Sequence, residues 1–202
     1  ATVEEMRALL AVTANRSDLY GVSGPERALV YQFAAMTGLR AMEIKSLTAG
    51  DFDLDGAQPS VTVRAVNAKN RTTSSIPLPE DLAEMLKTHL AGKAPGARGF
   101  TLPHKSNFAR MLKADLEAAG VAYEDQAGAV LDFHALRHTR GVRLFQHHQA
   151  NPREVQELMR VSSVALVNRY ARSHRLRDMA VIERGPDLQS SPTAARATGA
   201  HD

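Results

Sequence analysis

Apolar residues recur at helical spacing through most of the chain, and several of these stretches open on a residue suited to capping. Thr2-Val3-Glu4-Glu5 is a capping-box pattern and predicts a helix from Val3 to about Val12. Ser23-Gly24-Pro25-Glu26 repeats the signal and opens a second helix towards Met36, ended by Gly38. A short helix is expected from Arg40 to Ser46, then an irregular link from Leu47 to Asp55. The period then changes. Val61, Val63 and Ala65 alternate with Thr62 and Arg64, which reads as a strand. Ser75-Ile76-Pro77-Leu78-Pro79 reads as a short edge strand, because its prolines have no N–H to give to a central ladder. Ala65 to Thr72, between the two, is polar and turn-rich. Helices return at about Glu80–Leu90 and Ser106–Ala119, separated by the Gly/Pro-rich Ala91 to Pro103. Asp132 is placed to cap a helix from Phe133 to about His148, and Asn151-Pro152-Arg153-Glu154 opens another that reaches Arg160. Ser162 or Ser163 opens a short helix carrying Tyr170, and a last helix is expected from about Leu176 to Glu183. From Gly185 the chain is Gly, Pro, Ser, Thr and Ala, which predicts disorder over 185–202 and one domain over 1–184. The fold class that follows is α+β, mainly α-helical, with a small antiparallel β-sheet.

Composition narrows the setting. At 202 residues the chain can bury a real core as one large domain. No apolar run approaches the roughly 18 residues of a membrane span. Zero cysteines exclude disulfides and thiolate metal sites and fit a reducing compartment, so a cytoplasmic, membrane-free protein is expected. The net charge is only +3, but it is unevenly spread. Between His134 and Gly185 there are ten arginines against four acids, a local +6, with five of the eight histidines. A surface of that kind favours a polyanion partner, although a solvated helix face would read the same way.

The residues able to carry chemistry lie in an ordered set. Thr37-Gly38-Leu39-Arg40, with Glu43 close behind, is answered by His134-Ala135-Leu136-Arg137-His138, and later by Asn168-Arg169-Tyr170-Ala171-Arg172. A phosphodiester under attack becomes a dianionic pentacoordinate species. Without a metal, fixed cations must stabilise it, and a guanidinium forks two N–H bonds onto paired oxygens. Arg40 and Arg137 are candidates, though either alone reads first as a surface salt bridge. His134 and His138 are spaced like zinc ligands, but Ala135 stands where zinc hydrolases of that kind carry glutamate, so no metal is expected. Tyr170 could be a core contact. Arg169 and Arg172 alongside would lower the cost of its ionised form and make it a nucleophile. Lys69, in the connection between the strands, is either solvated or placed to give a proton to a leaving oxygen.

Together these segments resemble the tyrosine recombinase (phage integrase) family from roughly Val3 to Ala180. Thr37-Gly38-Leu39-Arg40-Ala41-Met42-Glu43-Ile44 is similar to the family's first-arginine box, and Leu47 with Asp51-Phe52-Asp53-Leu54 continues it. Lys69 stands seven residues before Ile76-Pro77-Leu78, as the family's hairpin lysine does. Phe133-His134-Ala135-Leu136-Arg137-His138-Thr139 is close to the His-x-x-Arg box, and Glu157 to Ser163 with Arg169-Tyr170-Ala171 resembles the closing box. The resemblance implies the tyrosine recombinase catalytic-domain fold. It also implies a site-specific recombinase or integrase, a DNA strand transferase without cofactor. Tyr170 would attack the scissile phosphate, leaving a 3′-phosphotyrosyl link. Arg40 and Arg137 would hold the non-bridging oxygens, Lys69 would protonate the 5′ leaving oxygen, and His134 would accept the tyrosine proton. Arg71, Arg140, Arg160, Arg169 and Arg172 are the expected DNA contacts. The partner is double-stranded DNA, bound as a homo-tetramer, with a monomer expected off DNA.

The chain departs from that family at two points. Nine residues before the nucleophile the family carries histidine or tryptophan, and here Val161 donates nothing. One lost donor of this kind costs about 2.7–4 kcal/mol, or roughly 10²–10³ in rate. Restoring it by Val161→His is expected to raise the rate. The chain also opens inside the catalytic domain, so weaker DNA affinity than that of a longer parent is expected. Two other readings stay open: a catalytically weakened DNA-binding relative of the same fold, and type IB topoisomerase-like DNA relaxation.

Overall fold

Thr2 opens the fold with the capping box its sequence predicts. Its hydroxyl accepts from the Glu5 N–H at 3.1 Å, and the Glu5 carboxylate accepts from the Thr2 N–H at 2.7 Å. The computed structural model describes residues 2–68, 71–125, 128–147, 151–161 and 167–168. Helix α1 runs Val3–Ala14, two residues longer than the pattern predicted. Helix α2, Gly24–Thr37, starts at Ser23, whose hydroxyl accepts from the Glu26 N–H. Gly24 is there because the end of α1 and the turn after it pass over it: a Cβ would sit 2.5 Å from the Thr13 carbonyl oxygen and 2.2 Å from that of Arg16.

Helix α3, Ala41–Ser46, follows, and then the link expected to be irregular. It instead forms a 3₁₀ turn, Ala49–Asp51, and a two-residue strand β1, Phe52–Asp53. β1 pairs antiparallel with β2, Ser60–Val63, and β2 pairs antiparallel with β3, Ser74–Pro77. Two residues are too few to show a period, so β1 left no alternation to read. It is held by its side chain: the Phe52 ring lies 5.9 Å from Phe33 and 6.0 Å from Phe100, centroid to centroid. β2 stops at Val63, because Arg64 to Ala68 close a turn in which Asn67 and Ala68 both donate to the Arg64 carbonyl. Pro77 sits on an edge strand, as its missing N–H requires.

Helices α4, Glu80–Leu90, α5, Phe108–Ala118, and α6, Phe133–His147, complete the main layer. Asp132 caps α6 by accepting from the Ala135 N–H at 2.8 Å. Helix α2 is the hub, packing against α1 on one side and α6 on the other, while α1 also meets α5. The main core gathers Leu9, Phe33, Val61, Leu86, Met111 and Leu136 from these elements. A second, smaller apolar cluster joins Leu144 of α6, Val155 of helix α7 (Pro152–Leu158), and Met159, Val161 and Val167 beyond it. The predicted helices around Tyr170 and over Leu176–Glu183, the tail from Gly185, and with it the expected boundary at 184, lie outside the described residues.

One polar network crosses the main core. Asp115 of α5 is fully buried and accepts from Arg27 Nε at 2.8 Å, Arg16 Nη1 at 3.0 Å and the Tyr31 hydroxyl at 2.7 Å. Arg27 also donates to the carbonyls of Ser17 and Val22. Burial, then the charge of Asp115, pushes the Tyr31 phenol well above its ordinary value, so it stays a donor. No periodicity in the sequence betrays this network. Removing one member leaves the others charged in an apolar interior, so Asp115→Asn is expected to lower stability by about 3–5 kcal/mol. The check is the denaturation midpoint at unchanged slope. A loss under about 1 kcal/mol would mean the network is dispensable.

Candidate active site

Gly38 builds the corner on which the first arginine stands. Its left-handed backbone (φ +68) ends α2, its N–H donates to the Ala34 carbonyl, and a Cβ there would sit 3.1 Å from Arg140 Cγ and 3.2 Å from Met159 Sδ. The turn buries Leu39 completely and leaves Arg40 half-exposed at the N-cap of α3. Glu43, one turn on, is buried. Its carboxylate accepts from the Arg40 N–H at 2.9 Å and from Arg40 Nη1 at 3.0 Å.

A second guanidinium reaches the same carboxylate from the far end of the chain. Arg160 Nη2 donates to Glu43 at 2.7 Å, across 117 residues of sequence. Helix α7 was expected to include Arg160. It ends at Leu158 instead, and Arg160 takes the left-handed conformation (φ +51) just beyond. The Arg160 N–H donates to the Glu157 carbonyl and the Val161 N–H to the Gln156 carbonyl, which is the Schellman closure. Glycine is the usual occupant of that position, and a side chain there costs roughly 1–2 kcal/mol. The geometry aims the Arg160 side chain, 8% exposed, back at α3. Burial alone would raise the Glu43 pKa. The Arg40 N–H, the Arg160 guanidinium and the Arg40 guanidinium outweigh it and hold the carboxyl below its ordinary value.

Arg137 ties the same two segments together by their backbones. It is 2% exposed on α6, and its two Nη atoms donate to the carbonyls of Gly38 and Met159. Arg140, one turn on, packs its stem against Gly38; burial, with Arg143 nearby, lowers its pKa. Arg40, Arg137, Arg140 and Arg160 are therefore gathered around one corner. His134 is exposed on the first turn of α6 and His138 is half-buried. Arg71 is exposed with φ +53 in the β2–β3 connection, and no described contact joins it to Glu43. Lys69, Arg169, Tyr170 and Arg172 lie outside the described residues. Val167, three residues before Tyr170, is buried in the small cluster.

Val161 faces that cluster too, at 7% exposure. The structure therefore revises the expectation for Val161→His. The substitution places an imidazole against Leu144, Val155 and Val167, and is expected to cost about 1–3 kcal/mol of stability without a gain in cleavage rate. Denaturation midpoints and single-turnover rates check both halves, and a faster enzyme of unchanged stability would contradict this.

Glu43→Ala strands the buried Arg160 charge and is expected to cost about 3–5 kcal/mol. A carboxylate whose folded pKa is depressed contributes stability above its unfolded value and loses it as pH falls through the folded one. Thermal melts from about pH 7 to about pH 3 should then show a shallower acid decline for Glu43→Gln than for the unmodified chain. Parallel curves would remove Glu43 from the acid response.

Comparison with known proteins agrees with the fold. XerH site-specific recombinase, in a post-cleavage complex with palindromic difH substrate, superimposes at TM-score 0.66 and 19% identity, over 92% of this chain and 53% of that one. The catalytic domain of bacteriophage HP1 integrase gives 0.63 and 20%, over 96% and 98%. The Tn1549 transposon integrase, in complex with transposon right-end DNA, gives 0.61 and 16%, over 90% and 65%. The chain thus spans about half of the XerH structure and nearly all of the HP1 domain. At these identities the likeness is one of fold. No curated protein matches the sequence. The model of the phage integrase family matches residues 2–177, almost the whole chain, and the chain belongs to that family.

Proposed function

We propose that this chain is the catalytic domain of a site-specific DNA recombinase that breaks and rejoins a strand through a 3′-phosphotyrosyl intermediate. The observation that carries the proposal is the meeting of Arg40 and Arg160 on one buried carboxylate, with Arg137 bonded to the backbone of both segments. Fixed cations suit the charge that develops at an attacked phosphate, because they need not reorganise during the reaction. The bond from Arg40 Nη1 to Glu43 uses one of five guanidinium donors and leaves others for phosphate oxygens.

In this reading the Tyr170 oxygen attacks phosphorus while His134 accepts its proton. The P–O5′ bond breaks, and Lys69 protonates the departing 5′ oxygen. A 5′-hydroxyl of a second strand reverses the step. Bond energy is kept in the tyrosyl ester, so no nucleotide cofactor is consumed. Arg71, Arg140, Arg160, Arg169 and Arg172 are assigned to the phosphate backbone. The partner is double-stranded DNA, on which four copies act together; off DNA the chain is a monomer. The chain works in the cytoplasm, and no described helix is long and apolar enough to cross a membrane.

A duplex nicked beside the cleavage point lets the severed end diffuse away and traps the intermediate. With a duplex carrying its recombination site, a denaturation-resistant protein–DNA adduct is expected from the unmodified chain and none from Tyr170→Phe. DNA binding without any adduct would make the chain a non-catalytic DNA-binding relative. Plasmid relaxation without recombinant products would make it topoisomerase-like.

A further inference from the structure

Among the described residues, three buried side-chain polar atoms have no hydrogen-bond partner: the Thr13 hydroxyl, Arg140 Nε and Arg160 Nη1. Buried donors are rarely left unmet, and an orphan calls for an acceptor in the working state. Thr13 belongs to α1, in the main core. The other two are guanidinium nitrogens at the Gly38 corner, one on a stem packed against Gly38 and one beside Arg40. Two unmet cationic donors at one corner, next to a third cation, describe a place made for an anion.

Arg160 is divided between two tasks. One prong of its fork, Nη2, is fixed to Glu43 at 2.7 Å, while the other, Nη1, is buried with nothing to bond. The side chain is more than nine-tenths buried, so it is held and not roaming. It reaches this place only because residue 160 leaves the helix in the left-handed conformation, a geometry that favours glycine and is retained here for arginine. The next residue, Val161, has no donor and faces the apolar cluster.

We propose that Arg160 is a third phosphate-binding guanidinium of the strand-cleaving site, with Nη1 donating to a non-bridging oxygen and supplying from position 160 the hydrogen bond that position 161 cannot. The inference rests on the reading of this corner as the cleavage site. Arg160 gives no proton to the reaction, which moves one from Tyr170 to His134 and one from Lys69 to the 5′ oxygen. Its contribution is charge and a hydrogen bond at the pentacoordinate stage.

The fork supplies the test. A lysine has one ammonium and can replace the bond to Glu43, but it has no second prong for the phosphate. Arg160→Lys is expected to melt within about 4 °C of the unmodified chain. It should bind the nicked duplex with a Kd within about tenfold, yet form the Tyr170 adduct roughly 10²–10³ times more slowly in single turnover. Arg160→Gly, which suits the left-handed backbone, should slow the step as much, and it decides the matter if Arg160→Lys folds poorly. Full-rate cleavage by either variant would overturn the proposal; in Arg160→Lys it would leave the residue as a mere partner of Glu43. An unmodified chain that forms no Tyr170-dependent adduct would overturn the underlying reading of the corner, and this inference with it.

Discussion

A carboxylate taken out of water must find compensation nearby, and Glu43 finds it from both ends of the protein. Arg40 approaches from three residues before it and Arg160 from 117 residues after it. The first bond is local to α3, but the second is lost if α3 and the end of α7 move apart. The charge of one buried side chain therefore fixes the distance between two segments that share no β-ladder. Arg137 repeats the constraint with neutral acceptors, the Gly38 and Met159 carbonyls, and its own burial makes those acceptors obligatory. Four guanidinium groups at one corner would repel each other; the single buried carboxylate and the carbonyl dipoles hold them there.

The apolar architecture prepares that corner without providing it. The main core seats α2, and the Phe33–Phe52–Phe100 trio anchors the small sheet against it. The smaller cluster seats α7 and Val167 on the last turns of α6. Helix α6 is thus shared, with Leu136 in the first core and Leu144 in the second. Arg137 and Arg140 emerge between those two anchors, where one rigid element spans both bodies of apolar contact. Stabilising charge that appears only during a reaction demands donors fixed beforehand, and this arrangement fixes them.

Most helices were legible because their signals are local. Thr2, Ser23, Asp132 and Asn151 each carry a side-chain oxygen at the right place, and each accepts from its own helix. Pairings set by distant partners were not legible. β1 has two residues and exists because Phe52 meets two other rings. Asp115 looks like any polar position on a helix, and only the fold shows three side chains closing on it with four donors. The corner was half legible: Gly38 and Arg40 stood out as a glycine-ended helix with a cation behind, and Arg137 as its distant answer. Arg160 was expected to lie on α7, because nothing in Met159-Arg160-Val161 announces a left-handed arginine. Val161 read as a missing donor at the site; it is also a buried member of the small cluster, which only tertiary packing reveals.

The left-handed arginine is unfavourable locally and favourable globally, and the balance can be measured. A double-mutant cycle with Glu43→Gln and Arg160→Met, read by chemical denaturation, isolates the energy the two side chains share. A coupling of about 1–3 kcal/mol is expected for a buried pair that ties the two segments together. Additive losses, within about 0.5 kcal/mol, would show that the corner holds without that pair and would contradict the central claim.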